Sequence, residues 1–300
     1  MAKNFRQISG VLLLDKASGV SSNTALQQVR HCLRAAKAGH TGVLDPLATG
    51  LLPICLGEAT KFAQYLLDAD KAYIATLKLG EQTDTGDADG EIIATTPHIP
   101  DEQAFQAACN AFLGEIEQTP PMYSALKFQG KALYEYARLG IEIERKKRQI
   151  SIHHIDILEF NPPLATIFVS CSKGTYIRVL AEDIAKFSGS LSHLTALRRV
   201  QTAGFSIENA ITFNELQNLS EDEQNKHILP VDGMLQHFPE IRLSENHILA
   251  LQQGKCVQFQ QNQDIIHPFR VYDTENRFIG LAKNLSGSLK ALRLMSIGGS

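Results

Sequence analysis

The sequence predicts an α+β fold: a mixed, largely antiparallel central sheet flanked by helices, followed by a small C-terminal β-barrel-like domain. Three observations lead there. Apolar spacing switches between a period of two and a period of 3.6 along the chain, with no regular βαβ alternation. An apolar content of 44% over 300 residues supports a sizeable core. Beyond about residue 238 the pattern turns into short strands separated by TEN and LSGS turns. The expected division is therefore 1–238 and 239–300, with the boundary at Phe238-Pro239.

The elements follow in order. GVLLLDK (10–16) reads as a buried strand. Residues 22–36 carry apolar side chains at helical spacing, with Ser21 or Ser22 as cap and Gly39 near the stop. LLPICLG reads as a strand with an edge or bulge at Pro53. EATKFAQYLL is expected as a helix and KAYIATLKLG as a strand that puts Tyr73, Ala75, Leu77 and Leu79 on one face. EIIAT is a short strand. Residues 101–113 form a helix opened by Pro100-Asp101 and closed by Gly114, and KALYEYARLG a short helix ended by Gly140. RQISIHHIDILEF and LATIFVSCS are strands, and TYIRVLAEDIAKF is a helix. In the last segment, the helix SENHILALQQG precedes strands at CVQF, HPFRVYD, FIGLAKN and LKALRLMS.

Composition removes several function classes. The N-terminal apolar run is cut short by Asp15 and Lys16, and no window is long enough to span a bilayer, so a cytoplasmic protein without a membrane partner is expected. Cys32, Cys55, Cys109, Cys171 and Cys256 are odd in number and widely spaced, which suits reduced thiols better than disulfides or zinc. His153 and His154 are adjacent, so on a regular strand they face opposite ways and cannot share a metal. TDTGDADGE (83–91) resembles a calcium loop, but with Gly90 at the sixth position the first and twelfth ligands become Thr85 and Thr96. No phosphate-cradling glycine loop and no G-x-S-x-G is present.

Net charge is −3, yet the charge is segregated. Nine acids and no Lys or Arg lie between Leu79 and Leu126, so the remainder of the chain is net positive. Basic residues concentrate at 16–44, 127–148 and 277–300. Either a polyanion binds one face or each run is a solvated surface.

The segment GHTGVLDPLATG raises the sharpest question. From residue 38 to 57 the only formally charged side chain is Asp45. Either Asp45 caps a helical turn opened by Pro46, or it is an isolated carboxylate that needs a partner from elsewhere. In SKGTYIR, Arg178 stands near a helix N-terminus, where a cation is electrostatically misplaced and gains by facing an acid. Tyr73 is either a core aromatic or a stacking platform for a base. Lys16, His40 and LRR (197–199) are individually weak signals, and LRR could be any solvated strand end.

Together, GHTGVLDPLATGLLPICLGEATKFAQYLL, KAY, TDTGDADG, PPMYSALKFQGKALYEYAR and CSKGTYIR resemble, in order from about Gly10 to about Arg199, the TruB family of bacterial tRNA pseudouridine-55 synthases. The resemblance implies the pseudouridine synthase fold and an isomerase that flips out a T-loop uridine and converts it to pseudouridine. It needs no cofactor and no metal, and a monomer is expected. It implies that Asp45 is the catalytic acid, Arg178 its ion-pair partner and Tyr73 a base-stacking residue and proton acceptor. His40 then holds the T-loop, Tyr176 and Leu197 line the pocket, and Lys16 belongs to the substrate site. Residues of about 120–150 match an RNA-gripping thumb insert, and 239–300 a PUA-type RNA-binding module. One departure is DKASG, where Ala17 replaces the usual proline and leaves the placement of Lys16 open. Two other readings remain: a tRNA-binding or tRNA-folding protein without chemistry, and a pseudouridine synthase acting on another RNA.

Overall fold

The computed structural model describes residues 5–258 and 267–296. Its centre is a mixed sheet built from β1 (Gly10–Lys16), β2 (Ala38–His40), β3 (Thr49–Leu56), β4 (Lys71–Leu79), β5 (Gly114–Gln118), β6 (Arg148–Asn161), β7 (Leu164–Cys171) and β8 (Ser192–Thr202). The spatial order is β1-β3-β8-β4-β7-β6-β5, with β2 also on β3 and the short strand Ile211–Thr212 outside β1. Most neighbours are antiparallel; β3 and β8 run parallel, as do β1 and Ile211–Thr212. The fold class expected from the sequence is the one observed.

Both faces of β1 and β3 are covered, which explains their unbroken apolar runs. Leu12 and Leu14 face the main core with α1 (Ser22–Cys32), α2 (Glu102–Ala111) and α3 (Ile177–Phe187). Val11 and Leu13 face a second cluster with Phe62, Leu66, Met234, Leu235 and Leu281. In β4 the alternation places Tyr73, Ala75, Leu77 and Leu79 together in the main core.

Pro53 lies inside the sheet, opposite Leu13 of β1. Its carbonyl accepts from the Thr41 amide, on the side away from β1, so its missing N–H faces the same way and costs the β1–β3 ladder nothing. Three expectations are corrected. The helix expected over 22–36 ends at Cys32, because Arg34 adopts a left-handed conformation (φ 52°) that breaks the ladder well before Gly39. EATKFAQYLL is a 3₁₀ segment (Gly57–Lys61) and one α turn (Gln64–Leu67), and it still delivers Ala59, Phe62 and Leu66 to the second cluster. His153 and His154 are both exposed, because a bulge between Ile152 and His154 lets Ile152 and Ile155 both point inward. The sequence reading also passed over β2, β5 and β8.

The C-terminal sheet has the order Glu240–Arg242, Phe269–Tyr272, Phe278–Leu285, Ser288–Leu294, Val257–Gln258. Of the expected CVQF strand, Phe259 lies outside the described residues, as do 260–266 and 297–300. This sheet is bolted to the rest. Arg270 donates to the Phe238 carbonyl (2.9 Å) and Gln236 Oε1 (3.0 Å), and the Tyr272 hydroxyl donates to Asp232 (2.7 Å). Leu281 enters the second cluster, where Phe278 meets Phe62 at 5.6 Å. Among the described residues no helix is long and apolar enough to cross a membrane.

Leu281→Ala should cost about 2–4 kcal/mol by leaving a cavity in that shared cluster. Urea unfolding checks it; a loss below half a kcal/mol would show that the two parts are not packed as one.

Candidate active site

Asp45 lies on the loop between β2 and β3. It does not open a helix: residues 45–48 form a turn closed by the Ala48 amide donating to the Asp45 carbonyl (3.1 Å). The loop is held from below at several points. Ser22 Oγ donates to the Leu44 carbonyl (2.9 Å) and accepts from the Leu44 amide (2.8 Å). Lys16 Nζ donates to the carbonyls of Ala17 (2.8 Å), Val20 (2.6 Å) and Pro46 (3.4 Å). The Pro46 carbonyl also accepts from the Gly19 amide. Lys16 is 1% exposed, so its ammonium shapes the loop from inside rather than meeting solvent.

Arg178 is the second residue of α3. The turn before it is set by Gly174 (φ 81°) and by Thr175 Oγ1 donating to the Ser172 carbonyl. Tyr176 stands at the N-cap position, one step before the first turn in which it was expected. Gln118 at the end of β5 brackets the Tyr176 peptide: its Oε1 accepts from the Tyr176 amide (2.8 Å) and its Nε2 donates to the Tyr176 carbonyl (3.1 Å).

From that position Arg178 reaches Asp45, with Nε 3.0 Å from Oδ2. The Arg178 side chain is 5% exposed and that of Asp45 38%. Arg178 Nη1 donates to the Thr85 carbonyl (2.6 Å), and Nη2 to the Tyr123 carbonyl (2.7 Å). A second carboxylate, Asp87 Oδ2, lies 3.6 Å from Nε and is almost fully buried. TDTGDADG is therefore the cradle of Arg178. Thr85 Oγ1 donates to Asp87 Oδ1 (2.6 Å), and the Asp89 amide donates to the same oxygen (3.2 Å). Gly86 suits the turn there because its φ of 77° is a left-handed conformation that side chains disfavour.

Burial pushes the Asp45 carboxyl above the ordinary aspartate value, and Asp87 adds to this; Arg178 and Lys16 oppose it. Desolvation outweighs the guanidinium, so Arg178 does not hold the carboxyl low, although it favours the ionised form.

The other candidates surround this pair. Tyr73 is buried on β4, and burial raises its hydroxyl against the opposing charge of Arg199. Leu197 on β8 lies opposite Ala75 and is 8% exposed. Burial also raises Tyr176. Burial, reinforced by Arg199, lowers His40 and favours a neutral imidazole. The His40 Nδ1 and Thr41 Oγ1 atoms are buried without a hydrogen-bond partner among the described residues.

Three contributors escaped the sequence reading. Asp87 was set aside with the calcium-like loop. Gln118 carries no sequence signal. Arg199, taken as part of a solvated strand end, is 1% exposed. Within the basic run 16–44, Lys16 is drawn inward and Arg30 is half-buried, while Arg34 and Lys37 stay exposed. Lys16 is buried, Arg30 donates to the carbonyls of Ala35 and Ala36, and Arg34 pairs with Glu221.

Residues 30–177 match the TruB family pseudouridylate synthase N-terminal domain. Residues 178–236 match the tRNA pseudouridylate synthase B C-terminal domain, and 239–295 the C-terminal domain described as pseudouridine synthase II TruB. The tRNA pseudouridine synthase B of Neisseria meningitidis serogroup A is 57% identical over 98% of this chain and 97% of its own length. That of Chromobacterium violaceum is 49% identical over 98% and 96%. Among solved structures, the Cbf5-Nop10-Gar1 complex shares the fold with a TM-score of 0.73 at 24% identity, over 95% of this chain and 84% of the matched one. A carboxylate of Asp45 paired with Arg178, on a chain matched over nearly its full length, leads to one assignment: this chain belongs to the TruB family of pseudouridylate synthases.

Proposed function

We propose that this enzyme isomerises the T-loop uridine of tRNA at position 55 to pseudouridine, with the Asp45 carboxylate as nucleophile. The observation that carries the reading is the Asp45–Arg178 pair: a buried guanidinium aims one carboxylate at a site that remains partly open. In the reaction the N1–C1′ bond breaks, the base turns, and a C5–C1′ bond forms. C5 loses its proton and N1 gains one, so substrate and product are isomers. Attack at the sugar or at the uracil ring requires the same ionised carboxylate. The Arg178 contact favours that form and fixes the direction of the lone pair.

The target base must leave its stack to reach Asp45, and an aromatic wall replaces the lost stacking. Tyr73 supplies that wall in this reading and receives the C5 proton, while Leu197 and Tyr176 close the sides. His40 holds the RNA loop in this reading. Lys16 acts through the Pro46 carbonyl as a positioning residue.

Residues 1–238 form the catalytic part and 239–300 an RNA-binding module. The thumb of about 120–150 links the adjacent strands β5 and β6, and it exposes Lys127, Lys131, Lys146 and Arg148 beside Phe128 and Tyr134. A groove lined by Arg148, Ser151, Ser172, Lys173 and Gly174, with Glu115 also on its wall, lies between it and the turn before Tyr176. Such a surface suits phosphate contacts around an unstacked loop.

Pseudouridine mapping on an unmodified tRNA transcript tests the assignment. Wild type should modify one T-loop uridine, and Asp45→Asn should bind the transcript yet form no product; an active Asp45→Asn removes the nucleophile assignment. Asp87→Asn should lower the single-turnover rate by roughly tenfold, because Arg178 loses one of its two acids while keeping its carbonyl contacts; a wild-type rate would show that Asp87 does not position Arg178. Burial lowers the Lys16 ammonium from 10.5 to about 8, against the attraction of Asp45. Between those values the unfolded chain holds a proton that the folded chain has released, so stability should rise with pH across that window, the burial penalty being complete below it. Urea unfolding of wild type against Lys16→Met from pH 7 to 10 should show the difference moving in favour of wild type. A pH-independent difference would contradict the buried ammonium.

A further inference from the structure

Arg199 heads the fully buried side chains of the described residues ranked by size. Among the described residues it makes no ion pair with an acid. A buried guanidinium without a counter-charge is costly, and three features show what it does. Its Nε donates to the Leu51 carbonyl (2.8 Å) and its Nη2 to the Gly42 carbonyl (3.2 Å). Gly42 and Leu51 stand before and after Asp45, so one side chain ties the two ends of the Asp45 segment together. Its backbone lies opposite Tyr73 across the β8–β4 ladder and opposite Gly50 across β8–β3. Gly50 has φ 99°, and a Cβ there would lie 2.3 Å from the Arg199 carbonyl oxygen, so the two strands close tightly at this point.

We propose that Arg199 is a positioning residue for catalysis, which locks the Asp45 loop to the strand bearing Tyr73 and holds a fixed positive charge beside the Tyr73 hydroxyl. This rests on the proposed function and extends it to how the two reacting groups are kept in register. The charged and titratable groups acting on the Tyr73 hydroxyl are Arg199 from β8, Cys171 from β7 and Asp45 from the loop. Of these, Arg199 opposes burial and favours the phenolate, while Cys171 and Asp45 favour the phenol. The same charge acts on His40, Lys71 and Lys16.

The test compares wild type, Arg199→Lys and Arg199→Met by two readouts. One is the single-turnover rate on an unmodified tRNA transcript. The other is the titration of Tyr73 in the free protein, followed by NMR of ring-labelled tyrosine and assigned with Tyr73→Phe. Arg199→Met should slow turnover by roughly 100-fold while tRNA affinity stays within about threefold, as expected when reacting groups are misplaced rather than binding lost. Its Tyr73 should titrate at higher pH than in wild type, and Arg199→Lys should recover part of both effects. A wild-type rate in Arg199→Met, or an unmoved Tyr73 titration, overturns the proposal. If Arg199→Met does not fold, Arg199→Lys decides by the same readouts: unchanged rate and titration overturn it. A wild-type protein that converts no uridine refutes the proposed function instead, and the Tyr73 titration still tests the lock.

Discussion

The arrangement of the site depends on where one guanidinium is held. Arg178 is almost fully buried and spends its donors on Asp45, Thr85 and Tyr123, with Asp87 close by. Each partner comes from a different part of the chain. Asp45 belongs to the β2–β3 loop, Thr85 and Asp87 to the TDTGDADG loop, and Tyr123 to the connection between β5 and β6. A planar fork with fixed donor directions can gather such partners at once; an ammonium on a flexible stem cannot hold them at the same angles. Removing one partner from a buried charge costs more than the contact itself, because the remaining charge is left poorly solvated. That penalty couples the loops to one another.

Two further cations, Lys16 and Arg199, are buried for a related purpose. Both donate to backbone carbonyls, Lys16 at Pro46 and Arg199 at Gly42 and Leu51. A loop that presents a carboxylate on an apolar floor has little side-chain material with which to hold itself. Cations reaching up from β1 and β8 satisfy its carbonyls and set its shape. Lys16, together with Arg178, also offsets part of the burial that disfavours the ionised form of Asp45. Charge counted along the sequence therefore misleads here: Lys16 and Arg199 serve the interior rather than a surface.

Much of the fold was legible because its strands and helices obey simple periodicities. β1, β4, β6 and β7 read directly from apolar runs or alternation, and α1, α2 and α3 from their caps and apolar stripes. The failures have physical causes. EATKFAQYLL has helical spacing, and Ala59, Phe62 and Leu66 are buried together as that spacing implies, but the backbone carries them as a 3₁₀ segment and a single α turn. The His153-His154 pair was misassigned because a bulge changes the face count by one. β8 was missed because its alternation is broken by irregular register against β4, between Leu194 and Ala196 and between Arg199 and Gln201.

The sequence by itself determined the fold class, the family and the anomaly of a lone carboxylate in an apolar, glycine-punctuated stretch, because these depend on local pattern and on motif order. It also exposed Arg178 as a cation at the wrong end of a helix. Only the tertiary structure decided which acids Arg178 meets, that Asp87 is one of them, and that Lys16 and Arg199 face inward. Those outcomes depend on contacts between segments far apart in the chain. A side chain's solvation and its partners are properties of the assembled neighbourhood, and spacing along the chain does not carry them.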